Sequence, residues 1–97
     1  MASTKDYLDY SLDLLRDLDG ITYKKMMGEY ILYLDGVIFG GIYDNRFLIK
    51  KTKSLSSFGF QEEIPYENGK PMYLMDIEDS EKIKEIVILV INDLKKL

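Results

Sequence analysis

Residues 23–50 have the sequence YKKMMGEYILYLDGVIFGGIYDNRFLIK, and this stretch decides the fold. Its apolar runs are interrupted at Gly28, at Asp35-Gly36 and at Asp44-Asn45. The pattern therefore predicts three or four strands joined by tight turns. The Asp35-Gly36 pair predicts a two-residue hairpin, because glycine and aspartate tolerate the positive φ angles that such a turn needs.

The residue pattern also assigns faces to these strands. Arg46 and Lys50 alternate with the apolar Phe47 and Ile49, as expected for a strand in a sheet with one covered face. Residues 30–34 are apolar on both faces, so this strand is predicted to lie in the interior of the sheet.

Gly40-Gly41 lies inside a predicted strand, where glycine costs backbone entropy and offers no side chain to pack. A bulge, or room for a helix or a tyrosine to lie on the sheet, explains the pair in structural terms. A close approach by a ligand explains it in functional terms. The structural explanation is favoured, because a phosphate-binding loop would place its glycines before a helix, and none is predicted here.

Helices are predicted on both sides of these strands. Ser3 or Thr4 caps a first amphipathic helix, which is expected to end at Gly20. Asp79 or Ser80 caps a long final helix with an apolar stripe. The predicted segments between these helices are a first strand at 21–27, a short helix within 53–58, an acidic loop at 60–70 and a last strand at 72–76. Met26-Met27 is predicted to pack in the core, with an adaptable recognition surface as the alternative. Residues 1–97 are thus expected to form one α+β domain, with an N-terminal helix, a meandering antiparallel sheet of about five strands and a long C-terminal helix.

The sequence contains few groups for catalysis. It has no histidine and no cysteine, which removes the commonest general base, the thiolate nucleophile and most zinc or iron sites. Asp35 and Asp44 are explained by turns, and Glu29 is the one acid that could be buried, although a position at the sheet rim explains it more simply. We predict no catalytic, cofactor-binding or metal-binding residue, and no enzymatic activity.

The charge distribution bears on nucleic-acid binding. Seventeen acids against thirteen bases give a net charge of −4, which repels a nucleic-acid backbone. Arg46, Lys50, Lys51 and Lys53 nevertheless form a local basic patch with no acid between them. Direct DNA binding through this patch is a third hypothesis, but a solvated strand end is the more usual explanation.

Three features bear on the compartment. The chain has no cysteine, no apolar run long enough to cross a bilayer, and five aspartates within residues 1–20 where a signal sequence would be basic and then apolar. We expect a cytoplasmic protein that does not enter a membrane.

Two features suggest contacts with other proteins. Ile88 and Leu89 fall outside the stripe of the final helix, so they predict a homodimer with Leu89 at or near the interface. Alternatively, the first helix or residues 60–65 cover Leu89 within one chain. The eight tyrosines favour either a protein-binding sheet face or a core rimmed by their hydroxyl groups.

The run MMGEYILYLDGVIFGGIYDNRFLIK, followed by PYENGKPMYLMD, resembles the N-terminal domain family of TfoX (Sxy), a competence regulator. The positions that match the family pattern are Met26 or Met27, Gly28, Gly36, Gly40, Leu48 and Lys50. The resemblance implies an α+β fold similar to secretion chaperones, with an antiparallel sheet and packed helices. It implies no catalytic residues. We expect a stand-alone version of the domain, without the C-terminal domain of full-length regulators.

TfoX itself, the regulator after which the family is called, activates DNA-uptake genes together with the cyclic-AMP receptor protein. The resemblance therefore favours a non-enzymatic regulatory or adaptor domain that contacts a protein, with the transcription machinery as the candidate partner. The alternative is a small-molecule-binding or catalytic domain with a pocket beside Gly40-Gly41.

Overall fold

A computed structural model describes residues 3–96 of the chain. Its elements in chain order are α1 (Lys5–Leu14), β1 (Ile21–Met26), β2 (Glu29–Leu34), β3 (Val37–Ile42), β4 (Phe47–Ile49), a short 3-10 helix (Lys53–Leu55), β5 (Glu62–Glu63), β6 (Met72–Leu74) and α2 (Ser80–Lys95).

The strands of the described region form one antiparallel sheet in the order β1-β2-β3-β4-β6-β5. The first four form a meander, and β6 then pairs with β4 while β5 lies outside it. The predicted α+β fold is confirmed, and β2 lies inside the sheet as expected. The sheet has six strands because Glu62-Glu63, predicted as loop, pairs with the backbone of β6. Two glutamates carry no strand pattern, so only this backbone pairing defines β5.

Three two-residue turns connect the strands of the meander. Both central residues of each turn have a positive φ, which is characteristic of the type I′ turn. The pairs and their φ angles are Met27 (53°) and Gly28 (84°), Asp35 (50°) and Gly36 (83°), and Asp44 (51°) and Asn45 (55°). The predicted Asp35-Gly36 hairpin is therefore confirmed.

The first of these turns corrects the prediction for Met26 and Met27. Met26 is 48% exposed and Met27 is 97% exposed, so neither belongs to the core. Met27 occupies a turn position whose side chain projects into water, and Met26 ends β1, the edge strand of the sheet.

Both helices pack on one face of the sheet. β2 and β4 send alternate side chains to this covered face, including Leu32, Phe47 and Ile49, which are fully or almost fully buried. These side chains join one cluster with buried residues of the helices. The helical members are Leu8, Leu14, Ile83, Ile86, Val87, Val90 and Ile91. The apolar stripe of α2 is confirmed. The prediction that only one face of the sheet is covered is wrong at β4, because Leu48, which points to the opposite face from Phe47 and Ile49, is also fully buried.

The helix caps are at predicted residues, but the predicted end of the first helix is wrong. The Thr4 hydroxyl accepts a hydrogen bond from the Tyr7 backbone N–H at 3.1 Å, and Asp79 Oδ1 accepts from the N–H of Glu81 at 3.0 Å. α1 ends at Leu14 and not at Gly20 as predicted. The chain leaves the helix in tight turns that still bury Leu15, and these turns satisfy the last helical carbonyls.

A bulge in β3 accounts for the paired glycines. Leu32 lies opposite Gly40 and Tyr33 lies opposite Ile38, which leaves Phe39 as the extra residue. A Cβ on Gly40 would collide with the Leu48 carbonyl oxygen, and a Cβ on Gly41 would lie 2.7 Å from the Tyr43 ring. The favoured structural explanation is therefore confirmed, both as a bulge and as room for a tyrosine.

Candidate functional site

The face of the sheet opposite the helices is only partly covered, and we call it the outer face. Side chains of β2 and β3 that alternate with the core residues lie here. Ile31 and Tyr33 are partly exposed and Ile38 is 40% exposed. Tyr33 and Ile38 are directly opposed across the two strands, so their side chains adjoin. The outer face thus presents an apolar surface to water.

Residues 64–72 fold over the other half of the outer face, and we call them the covering segment. Arg46 holds this segment in place. Its guanidinium donates hydrogen bonds to Glu63 Oε1 at 2.9 Å and to the Ile64 carbonyl at 3.2 Å. Hydrogen bonds from Gln61 and from Arg46 hold the pKa of Glu63 below its ordinary value. The segment is therefore fastened to the sheet by a charged pair that is partly shielded from water.

The covering segment brings a tyrosine pair together. The rings of Tyr43 and Tyr66 are 6.0 Å apart between centroids and tilted by 54°. Burial raises the pKa of Tyr43, and the neighbouring Tyr66 adds to this effect. Leu48, on the same face, is fully buried although it lies outside the main core cluster.

A cleft of about 540 Å³ lies between the covering segment and β3–β4. We call it the basic cleft. Its lining residues are Ile38, Gly40, Tyr43, Lys50, Lys51, Pro65, Tyr66, Asn68, Gly69, Lys70, Pro71 and Met72. The structure thus places a cavity beside Gly40, where the sequence alternative had located a pocket.

The charge of the basic cleft differs from that of the whole chain. Three lysines and no acid line it, although the chain carries 17 acids and 13 bases. Lys51 Nζ forms an ion pair with Glu62 at 3.0 Å. Lys50 is partly buried and Lys70 is exposed. The cleft is therefore a locally positive site on an acidic protein.

The four residues of the predicted basic patch lie in different surroundings. Arg46 and Lys51 are held by acids, and Lys50 lines the basic cleft. Lys53 is exposed at the start of the 3-10 helix, which contacts α2. Two of the four cations thus have a local counter-ion, which weakens the field that a nucleic acid would meet. DNA binding itself stays a prediction.

Glu29 lies at the centre of a polar cluster that joins the N-terminus to a turn. Its Oε1 accepts hydrogen bonds from Ser3 Oγ at 2.7 Å and from Ser3 N at 3.0 Å, and its Oε2 accepts from Asp44 N at 3.0 Å. Ser3 Oγ in turn accepts from Asn45 N at 3.0 Å, and Asn45 Oδ1 accepts from Thr4 N at 2.9 Å. These donors explain the acid as a structural group at the rim of the sheet.

The family-motif residues have distinct structural positions. Gly28 and Gly36 occupy turns, Gly40 packs against β4, and Leu48 is fully buried between β3 and β6. Lys50 lines the basic cleft. Most of the motif therefore shapes the meander, and two of its members, Gly40 and Lys50, line the basic cleft.

The predicted interface residues have different surroundings. Leu89 is partly buried and packs against the core of its own chain, whereas Ile88 is 39% exposed. The prediction that Leu89 falls outside the apolar stripe of the final helix is corrected, because its side chain packs against the core. The homodimer stays a prediction, which sedimentation at micromolar concentration tests.

The tyrosines are distributed between the core and the outer face, and protein binding by the outer ones stays a prediction. Tyr30 and Tyr73 belong to the core cluster, while Tyr33, Tyr43 and Tyr66 lie on or beside the outer face. Sequence reasoning offered a pocket beside Gly40-Gly41 as an alternative but missed its second wall, because the covering segment has no periodic pattern.

Two kinds of feature are absent from residues 3–96. No three acidic side chains in this region come close enough to hold a metal ion together. Within the same range, neither helix has the length and apolar character needed to span a membrane.

The fold and site define a small α+β domain with one face of its sheet closed by helices and the other only partly covered. Residues 13–69 match the family described as the TfoX N-terminal domain. Because this match covers more than half of the chain, the protein belongs to that family, as the sequence motif indicated. The chain is also 29% identical over 91 residues to an "Uncharacterized 12.7 kDa protein in trpE 5'region" of Spirochaeta aurantia, with 90% of this chain and 79% of that protein covered.

Proposed function

We propose that this protein is a non-enzymatic regulatory or adaptor domain that binds another protein through its outer face. The observation that carries the proposal is the exposed apolar surface of Ile31, Tyr33 and Ile38, which neither helix covers. Contiguous apolar patches of this kind on a soluble domain mark contact sites. Membership of the TfoX N-terminal domain family supports a regulatory role linked to transcription.

The chemistry of the outer face indicates the kind of partner. Rigid aromatic and branched aliphatic side chains provide contact area with little loss of side-chain entropy. Lys24 on β1 lies opposite Ile31, and Lys50 borders the same face, so the apolar centre has a positive rim. A partner with an apolar anchor flanked by acidic residues fits this arrangement. The candidate is a component of the transcription machinery.

A pair of matched variants tests the proposal. Ile38 is 40% exposed on the outer face and Ile88 is 39% exposed on α2, so the change to glutamate introduces the same charge at equal exposure. We expect a pull-down from source cells to recover a partner with the wild-type protein and with Ile88→Glu. Ile38→Glu is expected to lose it, because a charge would be buried at the centre of the contact.

The partner recovered in this way is then purified and titrated against the three proteins, whose melting temperatures are compared first. The outer face is supported as the contact site if Ile38→Glu raises the Kd for the partner at least about tenfold and Ile88→Glu raises it less than about twofold. A larger loss of affinity with Ile88→Glu than with Ile38→Glu would refute the outer face as the contact site and favour the α2 surface that contains Ile88.

A further inference from the structure

We propose that the basic cleft binds a small organic anion that has a flat apolar body and a phosphate or carboxylate group. This site goes beyond the protein contact proposed above. It shares Ile38 and Lys50 with the outer face, but it also depends on Lys70 and on the Tyr43 and Tyr66 pair, which that proposal does not use.

The dimensions of the cleft suit a small molecule. Its volume of about 540 Å³ lies within the range of roughly 300–1,000 Å³ that is typical of ligand sites. Its walls come from a strand pair on one side and from the covering segment on the other. Because the Arg46 and Glu63 pair fastens this segment, the cleft exists before a ligand arrives.

The charges of the lining residues select an anion. Lys50, Lys51 and Lys70 line the cleft, and no acidic side chain is among its lining residues. Lys51 already has Glu62 as a counter-ion at 3.0 Å, so Lys50 and Lys70 are the principal cations for a ligand. Two ammonium groups can share the oxygens of one phosphate or carboxylate.

The remaining walls are suited to a flat apolar body. Ile38 and Met72 provide aliphatic surface, and the rings of Tyr43 and Tyr66 form a tilted pair at the same site. Tyr66 is 62% exposed, so its ring is accessible for stacking. The phenol of Tyr43 is protonated at neutral pH, as tyrosine ordinarily is, and can donate a hydrogen bond to an anion.

Four probes separate the two parts of this recognition. 1-Naphthyl phosphate and 1-naphthoate carry a ring and an anionic group, 1-naphthol carries the ring alone, and inorganic phosphate carries the charge alone. We expect 1-naphthyl phosphate to bind with a Kd on the order of 1 mM, as is typical of a fragment of this size. The amide resonances of Gly40, Gly69 and Lys70 are expected to shift on titration. Whether the phosphate or the carboxylate binds more tightly identifies the preferred anionic group.

Matched charge variants test the site itself. Lys50→Gln with Lys70→Gln is expected to weaken 1-naphthyl phosphate binding about fivefold or more. The control is Lys84→Gln with Lys95→Gln, which removes the same charge from exposed positions of α2 on the covered side of the sheet. This control is expected to leave the Kd within about twofold. Lys70→Gln alone is expected to cause an intermediate loss of affinity. Because Lys70 is exposed, this single variant controls for misfolding caused by the change at the partly buried Lys50.

Three results would overturn the proposal. The first is the absence of amide shifts at the cleft with either naphthyl anion up to about 10 mM. The second is equal weakening by the two lysine pairs, which would show a general charge effect. The third is binding of 1-naphthol as tight as that of the anions, which would show an apolar pocket without charge selection.

Discussion

Replacing Glu29 by alanine should reveal how strongly the polar cluster at the sheet rim holds the N-terminus. The carboxylate accepts from Ser3 N, Ser3 Oγ and Asp44 N. Ser3 is only 7% exposed, so its hydroxyl has little access to water after the substitution. Its backbone N–H keeps a second acceptor in the Gly28 carbonyl at 3.0 Å, and Asp44 N lies at an exposed turn where water can replace the lost acceptor.

The magnitude follows from these three donors. The buried Ser3 Oγ loses a hydrogen bond to a charged acceptor, which costs about 1.5 kcal/mol. The exposed Asp44 N–H adds about 0.5 kcal/mol, and the Ser3 N–H adds little because Gly28 satisfies it. The expected loss is about 2 kcal/mol in the free energy of unfolding. For a domain of 97 residues this corresponds to a decrease of about 10 °C in Tm.

Urea denaturation and calorimetry of Glu29→Ala, Ser3→Ala and the double variant measure this effect. Glu85→Ala, an exposed acid on α2, is the control and should change stability by less than about 0.5 kcal/mol. The double-mutant cycle should give a coupling energy of about 1 kcal/mol or more between Ser3 and Glu29. Additive effects of the two substitutions would refute the assigned role of Glu29.

Three further predictions concern other parts of the fold. Gly40→Ala should lower the free energy of unfolding by about 3 kcal/mol, because the added Cβ would meet the β4 backbone. Gly36→Ala should lower it by only about 1 kcal/mol, because Gly36 has a φ of +83° but no neighbour within 4 Å. Equal losses of stability in urea denaturation would contradict this account. Hydrogen bonds from the side chain and backbone of Ser54 hold the pKa of Asp93 below its ordinary value of 3.8. The ionised Asp93 therefore stabilises the fold fully above pH 3.8, and this stabilisation is lost as the pH falls through the lowered pKa. Asp93→Asn should therefore show a smaller decrease in urea midpoint between about pH 7 and pH 3 than the wild type, and an unchanged decrease would disprove the linkage. Met27→Asn should raise stability by about 0.5–1 kcal/mol, since asparagine tolerates the φ of 53°, and a lower Tm would count against strain at Met27.

The predictable part of the fold was encoded locally. Asp35-Gly36 identified its turn because both residue types favour positive φ. The stripe of α2 identified its buried face through residue spacing alone. Met27 was misassigned because methionine rarely adopts positive φ, so the neighbouring Gly28 was the only local signal of the turn.

The basic cleft and the polar cluster could not be predicted in the same way. Arg46 and Glu63 are 17 residues apart, and Glu29 meets Ser3 across 26 residues. Contacts at such distances depend on how the sheet is ordered, which the local pattern does not encode. The sequence did direct attention to Gly40, but it could not show that residues 64–72 would form the second wall.

The three type I′ turns also have a consequence for the order of folding. Each closes a loop of only two residues, so β1 to β4 can pair with a small loss of chain entropy. The hydrogen bond between Ser3 and Asn45 closes across 42 residues, and that between Ser54 and Asp93 closes across 39. Local contacts form rapidly and distant ones slowly. The meander is therefore positioned to fold first, as a template on which the N-terminal segment and α2 then dock.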